Sequence, residues 1–245
     1  DLRFKDGKFK IVQFTDLHYK LGNPASKQAT DCMYEVVKAE NPDLIVLTGD
    51  VIYAKPGDAC LQQILNVLTD LKRPFCYLLG NHDPEQGIAV GKLYDQAAQN
   101  SFCVQPKRDG NVLDYAVPIK SGDGAKTAAV LYCMDTHAYC KMEDVGLYQW
   151  LSFDQIGRYR DWSAAFTKQN GGKPLPALMF MHYPLPEYDQ AVTSNQVPLY
   201  GIRLEKNCSP CLNSGMFTAL KEGGDVMGVF CGHDHDNDYS TMYYQ

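Results

Sequence analysis

No apolar run in this chain approaches the roughly 20 residues that a membrane helix requires. Nor is there an excess of positive charge: 23 Lys and Arg stand against 29 Asp and Glu, a net charge of −6. That balance excludes the basic stripe of a nucleic-acid binder, so a phosphate-bearing partner would have to be met by local chemistry. The chain also lacks a P-loop, a G-x-S-x-G elbow and a dinucleotide fingerprint. Internal repeats, low-complexity tracts and linkers are missing too, and 245 residues with 45% hydrophobic content read as one α/β domain, 1–245. Nine cysteines are too few for a disulfide scaffold of this length, and their odd number leaves at least one unpaired within the chain. Cys76, Cys133 and Cys231 sit in apolar runs and read as core residues, whereas Cys208 and Cys211 form a lone C-x-x-C with a structural reading.

What the chain does have is a series of strand-length apolar runs, at 10–15, 44–48, 75–79, 177–181 and 226–231. They are nearly continuous rather than alternating, the pattern of strands buried on both faces. Helical periodicity falls between them, at 25–40, 59–71, 152–168 and 213–222, with Ser152 as a cap and Gly223-Gly224 as a stop. The alternation predicts a sheet covered by helices. Segments 112–119 and 127–134 read as a hairpin that starts a second, partly antiparallel sheet. The stretch 183–212, with prolines at 184, 186, 198 and 210, reads as a long functional loop. Residues 239–245 read as the start of a strand.

Each of the five runs ends in a polar cluster: Asp16-Leu17-His18, Gly49-Asp50, Gly80-Asn81-His82-Asp83, His182 and Gly232-His233-Asp234-His235. Five of the six histidines lie in these clusters. In an open α/β sheet the carboxyl ends of the strands share one edge, so residues distant in sequence meet there. Imidazoles mixed with carboxylates and an amide oxygen suit manganese, iron or zinc rather than an all-oxygen cage. The candidate ligands are too many for one zinc and fit two ions with open positions. Asp234, Asp236 and Asp238 open like a calcium loop but lack its glycine, and Gln245 replaces the closing glutamate.

D-x-H, G-D, G-N-H-D, a later His and G-H-x-H, in this order from Asp16 to His235, resemble the calcineurin-like metallophosphoesterases. The segment 213–238 is most similar to their bacterial and plant purple-acid-phosphatase-like branch. The resemblance implies a four-layer α-β-β-α sandwich of two mixed sheets and a metal-dependent phosphoesterase. It implies that Asp16, His18 and His235 hold one ion, that Asn81, His182 and His233 hold the other, and that Asp50 bridges them. His82 would then face the leaving group as proton donor or cationic clamp. The ions implied are two divalent or mixed-valence transition metals, manganese or iron, with zinc as an alternative.

His137, Arg203 and Tyr183 are further candidates for substrate contact. Tyr53 completes the G-D-x-x-Y of true purple acid phosphatases, whose tyrosine binds ferric iron. Those enzymes lack a counterpart of His18, so Tyr53 is expected to pack or hydrogen-bond rather than ligate. The substrate expected is a small phosphate mono- or diester, with no nucleic acid and no membrane. The alternatives are a non-catalytic scaffold on the same fold and a nucleotide pyrophosphatase or nuclease. The start at Asp1, the cysteine usage and the purple-acid-phosphatase resemblance point to an exported protein, periplasmic or extracellular, with the cytoplasm as the alternative. Family members continue beyond the G-H-x-H loop, so a second sheet lacking its last strands is expected at Gln245.

Overall fold

The computed structural model describes residues 1–193 and 198–244. Its first sheet is parallel, with strands β1 (Ile11–Phe14), β2 (Leu44–Thr48) and β3 (Phe75–Leu78) in that order. Every residue of β2 is buried, as expected of a central parallel strand. Helices α1 (Pro24–Glu40), α2 (Gly57–Leu71) and α3 (Val90–Ala98) cover this sheet. Asn23 caps α1, its side chain accepting from the amides of Ala25 and Ser26. The helix α3 has no counterpart in the sequence expectations. Its nine residues include Gly91 and bury only Leu93, Tyr94 and Ala97, too short a stripe to stand out.

The second sheet runs β4 (Tyr115–Lys120), β5 (Thr127–Cys133), β6 (Ala177–Phe180), β8 (Val226–Phe230). β4 and β5 form the expected antiparallel hairpin, and the remaining pairs are parallel, so the mixed character lies here. The two sheets pack face to face: Tyr115, Val117, Leu131, Cys133 and Phe180 share one core with β2 and β3. Side chains that alternate with these, Val130, Tyr132 and Met179, point the other way. They pack beneath α4 (Phe153–Gln169) and α6 (Met216–Gly223), completing the four layers. α4 opens with a reciprocal capping box between Ser152 and Gln155. α6 starts three residues later than expected, because Gly215 in a left-handed conformation ends the preceding loop.

The segment 183–212 is not a structureless loop. It contains the short α5 (Glu187–Thr193) and β7 (Leu199–Arg203); residues 194–197 lie outside the described part. β7 is largely exposed and pairs with β9 (Asn237–Thr241) in a separate antiparallel ribbon. A strand whose partner lies more than 30 residues away and which has no buried face gives no periodic signal. The strand expected at 239–245 thus begins two residues earlier and is paired, Gln245 being outside the described residues. Among the described residues β8 has no strand on its outer side, where Met227 is 71% and Phe230 40% exposed.

Candidate metal centre

The strand ends deliver the polar clusters to one place. Turns after β1, β2, β3, β6 and β8 carry Asp16 and His18, Asp50, Asn81 and His82, His182, and His233 and His235 respectively. The turns are stitched together by main-chain hydrogen bonds, Asp16 N to Gly49 O, His18 N to Asp50 O and Gly232 N to His182 O. Asp16, His18, Asp50 and His233 all adopt left-handed backbone conformations, with φ between 46° and 76°. Such conformations are rare in residues with side chains and concentrate at functional sites. Gly80 is required by proximity: a Cβ there would overlap the carboxylate of Asp50.

Three triads of metal-competent atoms result: Asp16, His18 and His235; His18, Asp50 and His82; and Asp50, His182 and His233. Within each the ligand atoms lie no more than 4.8 Å apart. Asp50 is common to two of them. Its Oδ2 lies 3.3 Å from His18 Nε2 and 3.4 Å from His182 Nε2, while Oδ1 accepts the amide of His82 at 2.8 Å. Asn81 Oδ1 is 3.1 Å from His182 Nε2. His182 Nδ1 is engaged by the Thr48 carbonyl at 2.8 Å, which leaves Nε2 turned into the site. His235 Nε2 lies 3.3 Å from Asp16 Oδ1. Asp83 does not join the cluster. Fully buried, it accepts from the amides of Val51, Ile52 and Gly80 and ties the second turn to the third.

Protonation follows from this crowding. Burial opposes the charge on Asp50, yet hydrogen bonds from His18 and His182 hold its carboxyl far below the usual range. Burial likewise opposes charge on His182, but Asp50 beside it raises its pKa to about 8. Burial together with the neighbouring His182 pushes His233 down to about 4, and burial plus the field of Asp50 lifts Asp83 to about 7. One buried atom of the cluster, His233 Nε2, has no hydrogen-bond partner, and Asp16 Oδ1 has only ion-pair contacts with His235 and His18. An unpartnered imidazole nitrogen beside further imidazoles and two carboxylates is what a cation would satisfy. The donor set therefore fits transition-metal ions.

His82 lies at the rim, its Nδ1 2.7 Å from Glu85 Oε2. Glu85 Oε1 accepts from Tyr139 OH at 2.8 Å, and Tyr139 OH accepts from Asn81 Nδ2 at 3.1 Å. A chain of hydrogen bonds thus links the Asn81 side chain to His82. Neither Glu85 nor Tyr139 stands out in the sequence; the spacing of Glu85, three residues after His82, is the available signal. Tyr53 packs rather than reaching inward: its ring stacks on His18 at 4.9 Å and meets His82 edge-on at 4.7 Å.

The three other candidates each have partners of their own. His137 has both ring nitrogens occupied, Nδ1 near Asp135 Oδ2 and Nε2 near Gln155 Oε1, each at 3.1 Å. Arg203 on β7 donates to Asp189. Tyr183 is buried against His182 and His233, and its hydroxyl donates to the Ala138 carbonyl. Its ring packs against both imidazoles.

Layers and site together define an α/β sandwich with metal-competent side chains gathered at its strand ends. The calcineurin-like phosphoesterase profile matches residues 9–237, and the chain belongs to that family. It is 31% identical to "Probable inactive purple acid phosphatase 14" of Arabidopsis thaliana over 97% of this chain and 68% of that protein. It is 30% identical to "Phosphatase DCR2" of Saccharomyces cerevisiae over 96% of this chain and 45% of that protein. Among solved structures it resembles TT1561 of Thermus thermophilus, with a TM-score of 0.51 and 10% identity. That alignment covers 91% of this chain and 81% of the other, a likeness of fold.

Proposed function

We infer that this protein is a metal-dependent hydrolase of phosphate mono- or diesters. The observation that carries the reading is the position of Asp50, whose Oδ2 faces His18 on one side and His182 on the other. Asp16, His18 and His235 would hold one ion and Asn81, His182 and His233 the other, with Asp50 shared. Held there, two ions would activate water at neutral pH and neutralise charge on the phosphoryl oxygens. Asn81, as a neutral ligand, keeps one more negative charge away from an anionic ester. Thr48, through its carbonyl, fixes the ring of His182, and Asp83 fixes the turns that carry Asp50 and Asn81. His82 gives a proton from Nε2 to the departing alcohol while Glu85 engages Nδ1 and holds the ring in place. Direct attack by water leaves no phospho-enzyme and inverts configuration at phosphorus.

The word "inactive" in the names of plant relatives favours a second reading, a metal-binding member that does not hydrolyse. A panel of p-nitrophenyl phosphate, its bis ester, cyclic AMP and single-stranded DNA decides between them. Hydrolysis that is abolished by chelation and restored by manganese or iron better than by magnesium is expected. Two bound ions with no turnover of any ester would favour the second reading. Full turnover in a metal-free preparation would refute the metal mechanism.

A further inference from the structure

A fourth group of metal-competent atoms lies beside the centre. Cys208, His233 and Asp234 place a thiol, an imidazole nitrogen and a carboxylate oxygen within 4.8 Å of one another. Cys208 comes from the segment between β7 and α6, whereas the other two belong to the G-H-x-H turn. The loop is held against that turn at several points. The Cys208 amide donates to Asp234 Oδ1 at 3.0 Å. Leu204 N and Glu205 N both donate to Asn237 Oδ1, and Asp236 N donates to Glu205 Oε1. Asn237 Nδ2 completes the clasp by donating to Asn207 Oδ1. The three donors are therefore brought together by built geometry rather than by a passing approach of a flexible loop.

Their chemistry differs from that of the centre itself. Sulfur, nitrogen and oxygen in one triad select a borderline-soft ion such as zinc, cobalt(II) or cadmium over manganese or magnesium. Cys208 is exposed and free, so an arriving ion can reach it. His233 supplies the imidazole nitrogen of the triad, and its buried Nε2, the atom also turned to the centre, has no hydrogen-bond partner. Glu205, clasped to the same turn, adds a second negative charge to the surroundings of the triad.

We propose that Cys208, Asp234 and His233 form an inhibitory site for a zinc-class ion, adjoining the dinuclear centre and sharing His233 with it. An ion entering there displaces the thiol proton to solvent and binds the thiolate, the carboxylate and the imidazole, with no change of oxidation state. His233 is also a ligand of the dinuclear centre in the reading above, so occupancy of this site withdraws it from that centre. Zinc beyond what the centre needs thus lowers activity without competing for the substrate. The inhibition rests on the phosphoesterase reading; the site does not.

The test uses the full chain and metal alone. Cobalt(II) added to the protein should give a thiolate-to-cobalt charge-transfer band in the near ultraviolet, with no substrate present. Cys208→Ser and, separately, Asp234→Asn should remove the band or weaken cobalt binding at that site by about tenfold or more, since losing a direct ligand costs at least as much as losing a residue that supports one. Cys211→Ser should keep it. A band that survives Cys208→Ser overturns the proposal. So does a band that requires Cys211 but not Asp234, which would mark a simple C-x-x-C chelate. In manganese-loaded protein, excess zinc should inhibit the wild type and leave Cys208→Ser active. Equal zinc inhibition of both overturns the inhibitory role even if the band behaves as expected.

Discussion

Nε2 of His182 lies 3.4 Å from Oδ2 of Asp50, and both side chains are withdrawn from solvent. Removing that carboxylate would take a ligand from both ions of the proposed centre. Asp50→Ala should therefore be the most damaging single ligand change, taking metal content to one ion or none per chain and activity down by about 10²-fold or more. His235→Ala should be milder, because that side chain is half exposed and water can take its place. Elemental analysis of the purified variants measures this. Retention of two ions by Asp50→Ala would remove the bridging role.

The contact between His82 and Glu85 makes a second expectation. His82→Ala should keep both ions and lose about 10²–10⁴ in rate, less for good leaving groups. Glu85→Gln should show the same leaving-group trend in weaker form, since it loosens the ring without deleting it. Rates on p-nitrophenyl and alkyl esters measure the trend. An equal loss on both kinds of ester would argue against proton donation by His82.

Tyr53 provides the third. Its ring lies face to face with His18, tilted by 19°, and the Lys20 ammonium sits 4.7 Å from the ring centre on this packed unit. Phenylalanine preserves the stack, so Tyr53→Phe should retain both ions. The iron-loaded wild type should show no visible tyrosinate band. A purple protein bleached by this substitution would instead make Tyr53 a ligand.

The candidate metal centre is legible in the sequence because ligands at strand ends are read as local clusters after apolar runs. β2 announces itself by five buried residues followed by Gly49-Asp50. What lies hidden depends on pairs remote in sequence. Tyr139 reaches Glu85 across 54 residues, and no periodicity reports such a contact. His137 is ambiguous in the sequence because a histidine in a loop after a strand can face a pocket or solvent. The buried Asp135 and Gln155 that occupy its ring become visible only through tertiary packing. Tyr183 neighbours His182 in the chain and packs against its ring, with its hydroxyl bonded to the Ala138 carbonyl 45 residues away, a contact that no local pattern reports.

The left-handed backbone at Asp16, His18, Asp50 and His233 has an energetic consequence for the whole chain. Each such residue costs roughly 1–3 kcal/mol of conformational energy, which the packed sheets and the main-chain hydrogen bonds between the turns must offset. An ion held at the ligand cluster would offset part of the same cost, so chelation should lower the unfolding midpoint of the chain.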